Sequence, residues 1–309
     1  MKNVIAVVVT HNRYHSLVNC IEAIRSQTIR PNQIVVINNG SSDYSSVWLD
    51  QQEDIIHLYQ DNTGSSGGFH KGISWSYQND YKWIWCMEDD SYPHENALEK
   101  LLMYGLKEKS LVCSLLINNA NDHSTNINPF NGALLHHSII SKAGLPKSNL
   151  FCNGAESEYY YRITKKNGFG SKRIAESLHF HDSSPTDFNK EWNMKTCWPL
   201  YFQIRNQYIV YQSKYNNKPL AFCKYLSFVY SFICLIAKTQ HHNKTNKYAF
   251  VYSAMIDALR ANYEATANTI QARVNRKTKN SFFENVLFPI RSFVLQHFVP
   301  SFSETHKTA

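Results

Sequence analysis

The stretch WIWCMEDDSYP, Trp83 to Pro93, decides how this chain is read. Five mostly apolar residues, Trp83–Met87, run straight into Glu88, Asp89 and Asp90. An apolar run of that length, bounded by polar residues, suits a strand buried on both faces. Adjacent carboxylates repel one another, so three of them at the end of a buried strand need a reason. Carboxylates at alternate positions, Glu88 and Asp90, can converge on one hard cation, which prefers oxygen ligands. The competing reading is a solvated turn at the strand end, with Asp90-Ser91 capping the next segment of chain.

The residues before this stretch repeat one pattern. Val4–Val9 is a continuous apolar run, followed by Leu17, Cys20, Ile21 and Ile24 at helical spacing within Ser16–Ser26. Gln33–Ile37 reads as a second strand, Asn38–Asp43 as a turn before a helix, and Ile55–Tyr59 as a third strand. Asp61–Gly68 (DNTGSSGG) reads as a glycine/serine loop that leads into a helix over Phe69–Asn79. Strands alternating with helices at this pitch predict a doubly wound, mainly parallel α/β sheet. Ligands of such sheets sit beyond the carboxyl ends of the strands. Thr10–Arg13, Asn38–Asp43 and Glu88–Asp90 all fall there.

Three further stretches could carry chemistry. DNTGSSGGF either brings backbone N–H groups close to a diphosphate or is a flexible connection. Glu156 and Glu158 in NGAESEYYYR lie at an expected helix start, where acids are favoured electrostatically; Glu156 could also project into a cleft as a general base. LHFHD holds His179 and His181, expected to face opposite ways on a strand, one buried and the other reaching the site. Phe130–Pro146 reads as strand, short helix and turn, and Phe151–Gly168 as a loop and a helix capped at Asn167-Gly168.

Charge is uneven. Residues 1–217 hold 20 Lys/Arg and 20 Asp/Glu, whereas residues 218–309 hold 12 and 4, so the whole net charge of +8 lies in the last third. No basic motif interleaved with aromatics points to nucleic acid, and an anionic membrane surface is the better candidate partner. Leu220–Ala237 is apolar except for Lys224, and suits either a helix lying in the membrane interface or a core helix. Seven scattered cysteines with no C-x-x-C pair read as reduced thiols of a cytosolic protein. The N-terminus, MKNVIAVVVTHNR, turns polar too soon for a secretory leader and reads as the first strand.

Together these stretches resemble the family-2 glycosyltransferases, inverting enzymes of the GT-A fold, and within them bacterial galactofuranosyltransferase- and rhamnosyltransferase-like members. The blocks that carry the likeness are VVVTHNR with IEAIRSQT, IVVINNGSSD, NTGSSGGF, WIWCMEDDSYP, FNGALLHHSIISKAGLP, FCNGAESEYYYRITKKNGFG and WPLYFQIRNQYIV, in family order from about residue 4 to 210. The resemblance implies a GT-A α/β sheet with residues 1–110 as nucleotide-sugar half, 111–210 as acceptor and base half, and 211–309 as a helical C-terminal region.

By position, Thr10, Asn12, Arg13, Asn38, Asn39, Asp43, Gly67, Gly68 and Asp89 are then expected around the nucleotide sugar. Glu88, Asp90 and His181 would hold Mn²⁺ or Mg²⁺, Glu156 would be the catalytic base, and Asn131 and Gly132 would border the acceptor. Three features depart from the family pattern: Asn38 stands where Asp is common, Glu88 likewise, and Ala155-Glu156 where paired Asp residues are. The implied reaction transfers a sugar, first galactofuranose from UDP-galactofuranose, to a glycan or lipid-linked acceptor of a bacterial surface polysaccharide, at the inner face of the cell membrane. Rhamnose or another hexose from a dTDP- or UDP-sugar is the second donor, and a member that binds without turnover is the competing class.

Overall fold

The computed structural model describes residues 3–108, 110–118, 127–182 and 190–275. Part of the basic tail, residues 276–309, lies outside them. The first half alternates as expected: β1 (Val4–Thr10), α1 (Tyr14–Arg25), β2 (Gln33–Asn39), α2 (Ser45–Asp50), β3 (Ile55–Gln60), α3 (Gly64–Gln78) and β4 (Trp83–Glu88). A short strand β5 (Ser91–Pro93), α4 (Ala97–Glu108), β6 (Leu111–Asn118), β7 (Ala133–His136), α5 (His137–Ala143), α6 (Ala155–Tyr161) and β8 (Ser171–His181) complete the sheet and its layers. Four helices follow: α7 (Trp198–Lys214), α8 (Lys218–Thr239), α9 (Lys244–Leu259) and α10 (Ala267–Asn275).

The eight strands form one sheet in the order β3-β2-β1-β4-β7-β6-β8-β5. The β3-β2-β1-β4 half is parallel throughout. Beyond β4 the sheet is mixed: β7 is antiparallel to β4 and β6, β8 is parallel to β6, and β5 is antiparallel to β8. Mainly parallel winding thus describes the first half, and the second half is folded from hairpin-like and crossover pairings together.

The continuous apolar strands have the burial their composition requires. In β1, Ile5, Val7 and Val9 pack on one face with Phe69 and Ile73 of α3, while Val4, Ala6 and Val8 pack on the other with Leu17, Ile21 and Ile24 of α1. Successive side chains of a strand point to opposite faces, so a strand covered by helices on both sides must be apolar at every position. A third core, separate from these two, joins α7, α8, α9 and α10 through Phe202, Ile204, Tyr225, Val229, Phe250, Val251 and Ile270.

The glycine/serine segment corrects its sequence reading. It is not a loop before a helix: α3 begins at Gly64, and Ser65 to Gly68 form its first turns. Glycine costs a helix up to about 1 kcal/mol relative to alanine, which is why the segment reads as loop. Close packing against β1 outweighs that cost. A Cβ on Gly68 would come within 2.4 Å of Val9 Cγ1, and one on Gly72 within 2.4 Å of Val7 Cγ1.

A second correction concerns β8. His179 and His181 are two apart, so the period of a strand puts them on the same face, not opposite ones. His179 lies fully buried in that row and His181 at its rim, while Phe180 between them is exposed.

Candidate active site

Pairing of the sheet delivers the acids. β4 ends at Glu88, the chain turns through Asp89 and Asp90, and β5 pairs Ser91 with His181 of β8. The Asp182 N–H donates to the Asp90 carbonyl at 2.9 Å, which locks that turn to the end of β8. Residues far apart in sequence, Asp90 and His181, are thereby brought within contact of each other.

The three acids have different surroundings. Asp89 is buried; Thr10 Oγ1 donates to its Oδ2 at 2.8 Å, and Arg13 Nη1 lies 3.1 Å from its Oδ1. Burial drives its pKa up to about 6, against the Arg13 charge and the Thr10 hydrogen bond, which pull it down. Asp90 Oδ2 takes Arg13 Nη1 at 2.5 Å. Burial pushes Asp90 up as well, but His181 and Arg13 outweigh it and hold the carboxyl below its usual range. Glu88 Oε2 accepts from Asn131 Nδ2 at 3.3 Å.

His181 Nε2 stands 3.3 Å from both Glu88 Oε2 and Asp90 Oδ1. Burial alone would lower its pKa; contact with the two carboxylates raises it to about 10. The donor set fits a divalent cation on two grounds. Ligand atoms of Glu88, Asp90 and His181 all lie within 4.8 Å of one another. Asp90 Oδ1 is buried beside His181 Nε2, so a cation there would meet a desolvated carboxylate oxygen. Carboxylate oxygens suit Mg²⁺ and Mn²⁺, and the imidazole nitrogen is a ligand transition metals accept more readily than Mg²⁺ does.

A second cluster lies at the ends of β1 and β2. Asn12 takes a left-handed conformation (φ 53°) and accepts from the Ser42 N–H at 2.7 Å, while its own N–H donates to Ser41 Oγ at 3.0 Å. Asn38 is buried; its Oδ1 accepts from the Ser41 N–H at 2.9 Å, and its Nδ2 has no hydrogen-bond partner among the described residues. Asn39 is spent on structure, bonding the Gly64 carbonyl through Nδ2 at 2.9 Å and accepting from Gln60 Nε2 at 2.8 Å. Asp43 accepts from the N–H groups of Tyr14 and Ser45, at 2.9 and 3.1 Å, at the starts of α1 and α2. Burial raises its pKa, and these bonds more than offset that, so it lies below its usual range. Gly67 and Gly68 are buried in α3.

Glu156 opens α6, and its Oε1 accepts from the Gly154 N–H at 3.0 Å. Burial raises its pKa, the backbone bonds lower it in part, and the nearby charge of Glu88 adds to the rise. Glu158, by contrast, is a fully buried structural acid: Arg162 Nε pairs with it at 3.0 Å and Ser213 Oγ donates to it at 3.1 Å. Gly132 (φ 68°) passes so close to His179 that an added Cβ would lie 3.2 Å from the ring. Arg205 and Asn206 of α7, to which sequence reasoning gives no role within WPLYFQIRNQYIV, grip the loop before Glu156. Nothing short of that loop's position could have shown it.

Two carboxylates and a histidine thus gather beyond the carboxyl edge of the parallel half-sheet, and Glu156 lies in the first turn of α6. Residues 5–153 match the profile of Glycosyl transferase family 2. Galactofuranosyltransferase GlfT1 of Mycolicibacterium smegmatis is 27% identical over 213 residues, 57% of this chain and 70% of that protein. GlfT1 of Mycobacterium tuberculosis is also 27% identical over 213 residues, 58% of this chain and 70% of that protein. Among solved structures, residues 1–349 of S. aureus TarS superpose with a TM-score of 0.58 at 10% identity, covering 92% of both chains. The same TarS segment in complex with UDP gives the same score, identity and coverage. Residues 5–153 thus resemble a glycosyl transferase family 2 domain, the fold is of the GT-A type, and the chain is a glycosyltransferase.

Proposed function

We propose that the enzyme transfers galactofuranose from UDP-galactofuranose, with inversion, to a glycan or lipid-linked acceptor in bacterial surface polysaccharide synthesis. The observation that carries this reading is the convergence of Glu88, Asp90 and His181 at the nucleotide edge, with Glu156 close enough to feel the Glu88 charge. The name of the GlfT1 relatives supports the sugar, and the TarS complex supports a uridine diphosphate. Residues 1–110 serve the donor in this reading, and 111–210 the acceptor and base.

Glu88, Asp90 and His181 would hold Mn²⁺ or Mg²⁺, which supplies Lewis-acid charge to the departing diphosphate. Arg13, already drawn to Asp89 and Asp90, adds a fixed positive charge on the same edge. Thr10, Asn12, Asn38, Asn39 and Asp43 shape the pocket for the nucleoside, with the free Nδ2 of Asn38 its unspent donor. Asn131 and Gly132 border the acceptor, and Asn131 also holds Glu88 in place. Glu156 takes the proton from an acceptor hydroxyl as that oxygen attacks the anomeric carbon. The bond from that carbon to the phosphate oxygen breaks with its electron pair going to UDP. No covalent enzyme intermediate forms.

The test is turnover of a panel of UDP- and dTDP-sugars with Mn²⁺, offering octyl galactofuranosides and octyl rhamnosides as acceptors. UDP-galactofuranose is expected to be consumed at least tenfold faster than any other donor. Preference for a dTDP-sugar would replace the donor assignment.

We also place the enzyme at the inner face of the membrane. α8 is long and apolar enough to cross a membrane by length and composition, but one face packs in the helical core through Ala221, Tyr225, Val229, Phe232 and Ile236. Leu226 (40% exposed) and Tyr230 (65% exposed) lie outside that face, and Lys224 and Lys238 are exposed on the same helix before and after them. An apolar strip flanked by lysines suits a helix lying in a headgroup region. The protein is expected to co-sediment with phosphatidylglycerol vesicles in low salt and to be released by high salt. Absence from the vesicle pellet at every salt concentration would remove the membrane from this reading.

A further inference from the structure

The loop that presents Glu156 has an improbable backbone. Phe151 sits at φ 66° and ψ −72°, with the Cys152 N–H bonded to the Leu150 carbonyl at 2.9 Å. That is the three-residue γ-turn of the rare, strained hand. Asn153 (φ 47°) and Gly154 (φ 96°) follow, also left-handed, and α6 begins at once. Gly154 adopts positive φ freely, but Phe151 and Asn153 hold conformations that an unrestrained chain leaves, so something outside the loop must keep them there.

The Ser66 N–H donates to the Phe151 carbonyl at 3.0 Å and Asn153 Nδ2 to the Pro199 carbonyl at 2.9 Å, but most of the restraint comes from one pair of residues on α7. Asn206 Nδ2 lies 2.8 Å from each of three carbonyl oxygens, those of Leu150, Cys152 and Asn153. Arg205 Nη2 donates to the Leu150 carbonyl at 3.0 Å, and Arg205 Nε donates to Asn206 Oδ1 at 3.0 Å. The last bond fixes which end of the amide faces the loop. Both residues are fully buried, and Asn206 Cβ is 3.1 Å from where a Cβ on Gly154 would stand.

Arg205 makes no ion pair among the described residues; its guanidinium lies 4.8 Å from the Phe202 ring centre and 5.1 Å from that of Tyr263. Burying an uncompensated charge is costly, and an apolar side chain would serve α7 better if covering the core were the whole task. The loop ends in the Gly154 N–H, the group that holds Glu156 Oε1.

We propose that Arg205 and Asn206 are positioning residues for Glu156: they hold the left-handed loop 151–154 so that its carboxylate faces the acceptor hydroxyl. This rests on the assignment of Glu156 as base. Neither residue touches substrate, so the donor should bind normally while proton removal fails.

The experiment uses the full chain with Mn²⁺ and UDP-galactofuranose, or whichever donor of the panel turns over fastest. Asn206→Ala is expected to lower kcat about 10²-fold, the scale of a misplaced catalytic group, with donor KM within about threefold of wild type. Arg205→Lys, which loses the Nε–H that orients the amide, is expected to lower kcat about tenfold. Each loss should vanish in a Glu156→Gln background, because a residue that acts through the base adds nothing once the base is gone. Wild-type kcat in a folded Asn206→Ala, or losses that multiply with Glu156→Gln, would overturn the proposal. Loss of the native thermal transition in both variants would make the pair a part of the fold only, and overturn it too. An inactive Glu156→Gln beside a fully active Asn206→Ala sinks this proposal alone; a fully active Glu156→Gln sinks the base assignment first.

Discussion

Asp90→Asn is expected to lower turnover by about 10²- to 10³-fold, the scale of losing one preorganised charge against a developing anion. Asp90 is singled out because its two oxygens have separate tasks. Oδ2 takes Arg13 at 2.5 Å, and Oδ1 faces His181 and Glu88. An amide in its place removes a full charge from the cation site and turns an N–H₂ toward one of those two cations. The Mn²⁺ concentration for half-maximal rate should therefore rise at least tenfold, and the thermal shift produced by Mn²⁺ in the wild type should shrink. Calorimetric titration with Mn²⁺ checks the same point without turnover. If Asp90→Asn binds Mn²⁺ and turns over donor as the wild type does, the triad is not the metal site.

Glu156→Gln carries the other large effect, a fall in kcat of about 10²- to 10⁴-fold, the range of general-base contributions. Glutamine can keep the bond from the Gly154 N–H through its carbonyl oxygen, so geometry survives and basicity does not. The pH profile gives a second measure. Burial raises the Glu156 pKa above 4.5, and the base works only when ionised, so the wild-type rate should climb with pH through an acid limb lying above the usual glutamate range. The variant should lose that limb.

Stability moves in the opposite sense. A carboxyl whose folded pKa is raised binds its proton more tightly in the native state, so stability falls as pH rises from about 4.5 through the raised value. Above that window the glutamine variant should melt no lower than the wild type. A lower melting temperature at neutral pH would show that Glu156 is structural.

Much of this could be read before any coordinates. β1 and β4 are continuous apolar runs because helices cover both their faces, and such runs announce themselves. The acids at the end of β4 were legible for the same reason: the strand fixes the edge on which they emerge. Asp43, in contrast, turned out to cap two helices, a use that requires knowing which N–H groups lie nearby. Gly64–Gly68 read as loop because helix propensity is local, whereas Val9, which demands glycine at Gly68, and the Phe151 carbonyl, which demands it at Gly64, are each more than 50 residues away. β5 is three residues long and leaves no periodic trace, yet its pairing with β8 is what sets His181 against Asp90. The grip of Asn206 on loop 151–154 was invisible for a related reason: its partners are backbone carbonyls, which every residue has.

That grip bears on how this chain can be recombined. A designer swapping acceptor preferences among relatives would naturally cut where the sheet ends, after β8, and exchange all the helices as a cassette. Asn206, Arg205, Pro199 and Ser213 all contact residues 150–158, so that junction would separate parts that were fitted to each other. A crossover beyond Lys214, in the short connection before α8, keeps those contacts together, but it still parts α7 from the α8 and α9 side chains that share its core, so Tyr225, Val229, Phe250 and Val251 would have to be matched in any foreign tail.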